Sequence, residues 1–123
     1  LIDWDGLAAR YAGKREFIAR LTATVREAHA DEPATLRRAV ATGDFDLAAF
    51  RAHGVKSMAG NIIAAPVQTA AAEAESAARR RDPSAARLIE RLADMLERLL
   101  AALAEHDLKG AEIGNGTDRW PRQ

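Results

Sequence analysis

Residues 46–65 read Asp46-Leu47-Ala48-Ala49-Phe50-Arg51-Ala52-His53-Gly54-Val55-Lys56-Ser57-Met58-Ala59-Gly60-Asn61-Ile62-Ile63-Ala64-Ala65. At about 100° per residue on a helical wheel, Leu47, Phe50, Val55, Met58, Ile62 and Ala65 gather on one side, the side expected to face a core. Gly54 and Asn61 fall in the same sector. His53, Lys56, Ser57, Gly60, Ala49 and Ala64 fall on the other. The imidazole is thus expected to point outward, with a lysine one turn on and small side chains around it. A mid-helix glycine costs roughly 1 kcal/mol relative to alanine, and this segment has two. Close approach of another helix would offset that cost, and so would the need for clearance around a reactive imidazole.

The flanking segments are also helical in period, with Gly and Pro as punctuation. Asp3 is a plausible N-cap for a short helix that Gly13 ends. Phe17, Ile18, Leu21 and Val25 recur at three- and four-residue steps within 14–29. Asp31 opens a helix with Pro33 in its first turn, where proline is tolerated, and Gly43 stops it. Asp44 or Asp46 opens the histidine segment, and Pro66 breaks or kinks the chain after it. An alanine-rich stretch then runs to Arg79, Arg80 and Arg81, cations suited to a helix C-terminus. After Asp82-Pro83, Ser84 can cap a last helix with the stripe Leu88, Leu92, Met95, Leu99 and Leu103, expected to fade between His106 and Gly110. No window alternates in polarity as a strand would. The expected fold is all-α: an antiparallel up-down four-helix bundle with a short additional N-terminal helix, spanning 1–108. Residues 109–123, polar and rich in Gly and Pro, are expected to be a flexible C-terminal tail.

Composition narrows the function. With 123 residues and 48% hydrophobic residues the chain can build one compact core. Its 18 basic and 18 acidic residues cancel, which argues against nucleic acid or an anionic membrane as the main partner. No cysteine is present, so disulfides, thiolate catalysis and zinc–thiolate sites are excluded. Three histidines at 29, 53 and 106 lack metal-ligand spacing. Nothing matches a P-loop or a kinase nucleotide site, and no apolar run reaches the roughly 18 residues of a membrane span. His29 and His106 read as solvated side chains, the latter at a helix end.

The stretch from Ala52 to Asn61 resembles the histidine phosphotransfer (HPt) domain signature: a helix bearing His, an aliphatic residue two on, Lys three on, then a small residue. The opening Ile2-Asp3-Trp4-Asp5 with Leu7, the helix containing Phe17, Gly43-Asp44, and Val67 through Glu75 extend the likeness over residues 1–106. Four positions depart from the usual pattern: Gly54, Val55, Ser57, and Ile63, where a glycine is common.

The resemblance implies a phosphorelay intermediate. His53 would accept a phosphoryl group from a receiver-domain aspartate and pass it to another receiver. Lys56 would lie near the phosphoryl oxygens. Ala49, Ala52, Ser57 and Gly60 would form a flat docking patch for the partner. If the chain folds back as a hairpin at Pro66, Glu75 lies opposite His53 and could accept a hydrogen bond from its N–H. The domain would be a carrier rather than an enzyme and would hold no cofactor, with Mg²⁺ supplied by the partner receiver. It is expected to be a cytoplasmic monomer. The start at Leu1 rather than methionine, with the Ile2-Asp3-Trp4 opening, leads to the expectation of a C-terminal domain of a bacterial hybrid sensor histidine kinase. A helical scaffold of the same fold that no longer carries phosphate is the alternative.

Overall fold

The computed structural model describes residues 1–117, with side chains described through Lys109; Trp120 and its neighbours lie outside the described residues. The described residues are helical, with no strand among them. Six helices follow one another: α1 (Trp4–Arg10), α2 (Arg15–His29), α3 (Glu32–Ala41), α4 (Phe45–Asn61), α5 (Ala65–Arg79) and α6 (Ala85–Thr117). The Asp3 carboxylate accepts from the Gly6 N–H, and Asp44 from the Leu47 N–H, each satisfying an otherwise orphaned first-turn donor. Pro33 and Pro66 both sit in the first turn of their helices, so Pro66 starts α5 rather than kinking α4. The last helix does not fade at Gly110 but continues to Thr117.

Helix α4 packs along α5, α5 along α6, α6 along α3, and α3 back onto α4, while α2 lies on α6. Leu36, Val55, Ile62, Val67, Ile89, Leu92, Leu96, Leu99 and Leu103 are fully enclosed between them. The most extensive of these contacts, α4 on α5, is built largely from alanine. Ala48, Ala49, Ala52 and Ala59 are buried on α4, and Ala70, Ala71, Ala74, Ala77 and Ala78 on α5. Small side chains let two helix backbones approach closely, so the buried face of α4 is set by its alanines as well as by Val55, Met58 and Ile62. It is turned about a quarter-turn from the stripe of bulky residues. Phe50, expected inward, is 70% exposed, and Gly54 and Asn61 are also on the surface.

That interface leaves no room for a larger side chain. Ala52→Leu is expected to destabilise the domain by about 1–3 kcal/mol through overpacking, read as a lower urea midpoint with an unchanged slope. An unchanged midpoint would mean that α4 and α5 pack more loosely than their buried alanines indicate.

The connection after α4 accounts for one departure noted in the sequence. Ile63 has φ +57°, in the left-handed region. The Ala64 N–H donates to the Ala59 carbonyl (2.8 Å) and the Ile63 N–H to that of Gly60 (3.4 Å), the pattern of a helix end that favours glycine. A β-branched residue here costs on the order of 1–2 kcal/mol. Contacts from the N-terminal segment tie down the same helix end. The Asp3 N–H donates to the Ile63 carbonyl (3.0 Å), the Arg10 guanidinium to that of Gly60 (3.1 Å) and the Tyr11 hydroxyl to that of Asn61 (3.2 Å). Carbonyls that a helix C-terminus leaves without intrahelical partners are thereby satisfied. Across the domain, Trp4 stacks on His106 with ring centroids 3.7 Å apart. His106 is exposed, as expected, but it stacks within α6 rather than lying at its end. His29 is half-buried, its Nδ1 3.5 Å from Glu32.

Candidate functional site around His53

His53 lies on the exposed side of α4 with 55% of its side chain open to solvent. It sits there because the alanine face of the helix is turned toward α5, which places positions 50, 53, 54 and 57 outward. On α5, Glu75 faces it: His53 Nδ1 is 3.1 Å from Glu75 Oε2. The same oxygen accepts from Arg79 Nε (3.0 Å) and Nη2 (2.7 Å), and the other, Oε1, is 3.0 Å from Lys56 Nζ. One carboxylate thus gathers the imidazole, the lysine one helical turn beyond it, and an arginine one turn further along α5.

The carboxylate is only 10% exposed. Burial alone would push its carboxyl up, but the hydrogen bonds from Arg79, Lys56 and His53 outweigh burial and hold it down at about 2. Glu75 is therefore ionised at every ordinary pH. An ionised carboxylate only accepts hydrogen bonds, so the facing Nδ1 carries a proton. In the neutral ring, the Nε2 lone pair is then left for chemistry.

The other residues singled out from sequence divide. Ser57 is exposed on the face of His53. Gly60 is half-buried rather than open: a Cβ there would meet the Gln68 side-chain amide at 2.8 Å. Gly54 is the open glycine, with nothing within 4 Å of a Cβ built on it. Ala49 and Ala52 do not belong to a docking surface, because both are buried in the core at 2% and 0% exposure. Arg79, by sequence both a helix-end cation and a residue opposite His53 across the hairpin at Pro66, stands four residues from Glu75, the spacing at which side chains on one helix meet. No group of three or more His, Asp or Glu able to hold a metal occurs among the described residues. No helix among them is long and apolar enough to cross a membrane.

Residues 20–102 match the family model described as Hpt domain, from the second turn of α2 deep into α6. The chain belongs to the Hpt domain family. No curated protein and no solved structure matches it. Hpt domains act in histidine phosphotransfer within two-component systems, meet receiver domains there, and carry phosphoryl groups rather than catalyse turnover. The matched segment contains His53, Lys56, Glu75 and Arg79, whereas α1 and the start of α2 lie before it.

Proposed function

We propose that this Hpt domain is a phosphorelay intermediate in which His53 takes a phosphoryl group from a receiver aspartate and gives it to another receiver. The observation that carries this reading is the Nδ1 contact with an ionised Glu75, which directs the Nε2 lone pair outward. In the forward step, Nε2 attacks phosphorus, an N–P bond forms, and the P–O bond to the aspartate breaks. The aspartate leaves as a carboxylate, and the Nδ1 proton stays in its hydrogen bond to Glu75. The second transfer is the same exchange in the other direction. Little covalent help is needed for such a step; position and charge dominate. Lys56 and Arg79 bring two positive charges against the single charge of Glu75, so the site has net positive charge to meet the incoming phosphoryl oxygens.

Both oxygens of Glu75 are held by cations or the imidazole, Oε2 by His53 and Arg79 and Oε1 by Lys56. The Mg²⁺ of the reaction belongs with the receiver in this reading, where it would neutralise phosphoryl charge. The reading takes the helices as an antiparallel up-down four-helix bundle with α1 as the added N-terminal element. It takes the domain as a monomer, cytoplasmic, serving a hybrid sensor histidine kinase.

The test is transfer from a purified receiver charged on its aspartate with labelled acetyl phosphate and Mg²⁺. The expected product is one labelled peptide containing His53, with label lost in acid and retained in alkali. Acid-stable label, or label mapped to a peptide without His53, would sink the assignment.

A further inference from the structure

Phe50 is an aromatic ring largely exposed to solvent on the face of α4 that bears His53, one helical turn before it. Large exposed apolar side chains are individually ordinary, but this one adjoins a position that a partner must approach. Beside it stands Gly54, an exposed mid-helix glycine. The usual reason for such a glycine, close approach of another part of the same chain, is absent here, since a Cβ would meet nothing within 4 Å. Its cost in helix propensity therefore has no intramolecular return.

We propose that Phe50, seated next to the bare backbone of Gly54, is the anchor that sets affinity for the receiver, separately from the chemistry at His53. This rests on the relay reading, and geometry commits the occupant. For Nε2 to attack an aspartyl phosphate, the two reacting atoms must come within about 3–3.5 Å. The receiver surface around its aspartate must then lie over the outer face of α4. Neighbours three apart on a helix have Cβ atoms only about 5–6 Å from each other. Even a transient signalling contact, often below about 1,200 Å² in total, extends well past one turn. The ring is therefore covered whenever His53 is in reach of the donor. Aromatic side chains are enriched among the few residues that dominate such contacts. Gly54 then leaves the receiver's backbone or side chains room to come down beside the ring. The polar group Glu75–Lys56–Arg79 lies on the α5 side and is spared that task.

The test compares two phosphodonors on the same proteins. One is the receiver, charged with acetyl phosphate and Mg²⁺, that transfers fastest to the parent out of a purified panel. The other is phosphoramidate, a small P–N donor with no docking surface. In Phe50→Ala, the receiver concentration for half-saturation is expected to rise about tenfold or more relative to any change in the phosphoramidate rate. Phe50→Leu should recover part of the loss. Gly54→Ala should raise the melting temperature yet weaken receiver transfer, a combination that an effect on folding does not produce. An unchanged half-saturation in Phe50→Ala overturns the proposal. So does an equal fall with both donors, which would place Phe50 at the imidazole instead. If neither donor labels His53 in the parent, the relay reading itself fails and the anchor falls with it.

Discussion

In a His53→Gln variant, acid-labile label delivered from a charged receiver is expected to fall to background, while the melting temperature stays close to that of the parent. The two halves of this expectation come from different features. In the proposed relay His53 supplies the lone pair that forms the N–P bond, and glutamine has no nitrogen nucleophilic enough to replace it. The fold depends little on the ring, because more than half of it is in solvent. Substitutions at such surface positions usually change stability within about 0.5 kcal/mol. Glu75 loses one partner but keeps Lys56 and the paired N–H groups of Arg79, so it stays ionised and satisfied. Labelling and thermal melts on one preparation check both halves. Label that persists in His53→Gln would show that another residue is the acceptor. A fall in melting temperature of more than about 5 °C, equivalent to roughly 1–2 kcal/mol for a domain of this size, would show that His53 is structural as well.

The helix pattern was legible in the sequence because its punctuation is local. Asp3 and Asp44 cap, Gly13 and Gly43 adopt positive φ at helix ends, and Pro66 opens a helix. These signals act over three or four residues and need no tertiary contact. The face of α4 was less legible. A wheel weighted by bulk points toward Leu47 and Phe50, but which side is buried depends on what packs there. An alanine-rich α5 needs a flat partner, and Ala48, Ala49 and Ala52 provide it. The rotation that buries Ala49 and Ala52 is the same one that brings out Phe50, so the exposed face beside His53 carries an aromatic ring and a glycine in place of those alanines. The length of α6 was missed for a related reason. The polar, glycine-containing stretch after Leu103 argues locally for an end, yet His106 and Asp107 are held from outside the helix. Trp4 stacks on one, and Thr22 and Arg26 hydrogen-bond the other. The approach of Glu75 to His53 lies 22 residues along the chain; it follows from the hairpin at Pro66, whereas the grip of Arg79 on the same oxygen depends on side-chain placement that periodicity does not specify.

Replacing Glu75 separates its two proposed tasks, holding the Nδ1 proton and balancing two cations. Glu75→Ala is expected to slow phosphoryl acceptance by about tenfold to a hundredfold, by analogy with the loss of a group that orients a metal-binding histidine. Without an ionised acceptor at Nδ1, the proton is free to move to Nε2, which blocks the nucleophile in part of the population. Glu75→Gln retains a carbonyl oxygen that can accept from Nδ1–H, so its loss should be smaller. In stability the order is set by charge. The carboxyl titrates at about 2 in the folded domain, against an ordinary value of 4.5. A carboxyl depressed by folding stabilises above its unfolded value, and that contribution is lost as pH falls from about 4.5 toward 2. Its size is at most a few kcal/mol and is reduced by the water that reaches Arg79 and Lys56. Neither variant has a group to titrate at this position. The difference in stability between the parent and Glu75→Gln should therefore be constant near neutral pH and shrink through that acid window. Urea unfolding measured from pH 7 to 2.5 gives the comparison. A difference that stays constant into acid would mean that Glu75 is not held down by its three partners. The ionised acceptor that reserves Nε2 for phosphorus would then have to be sought elsewhere.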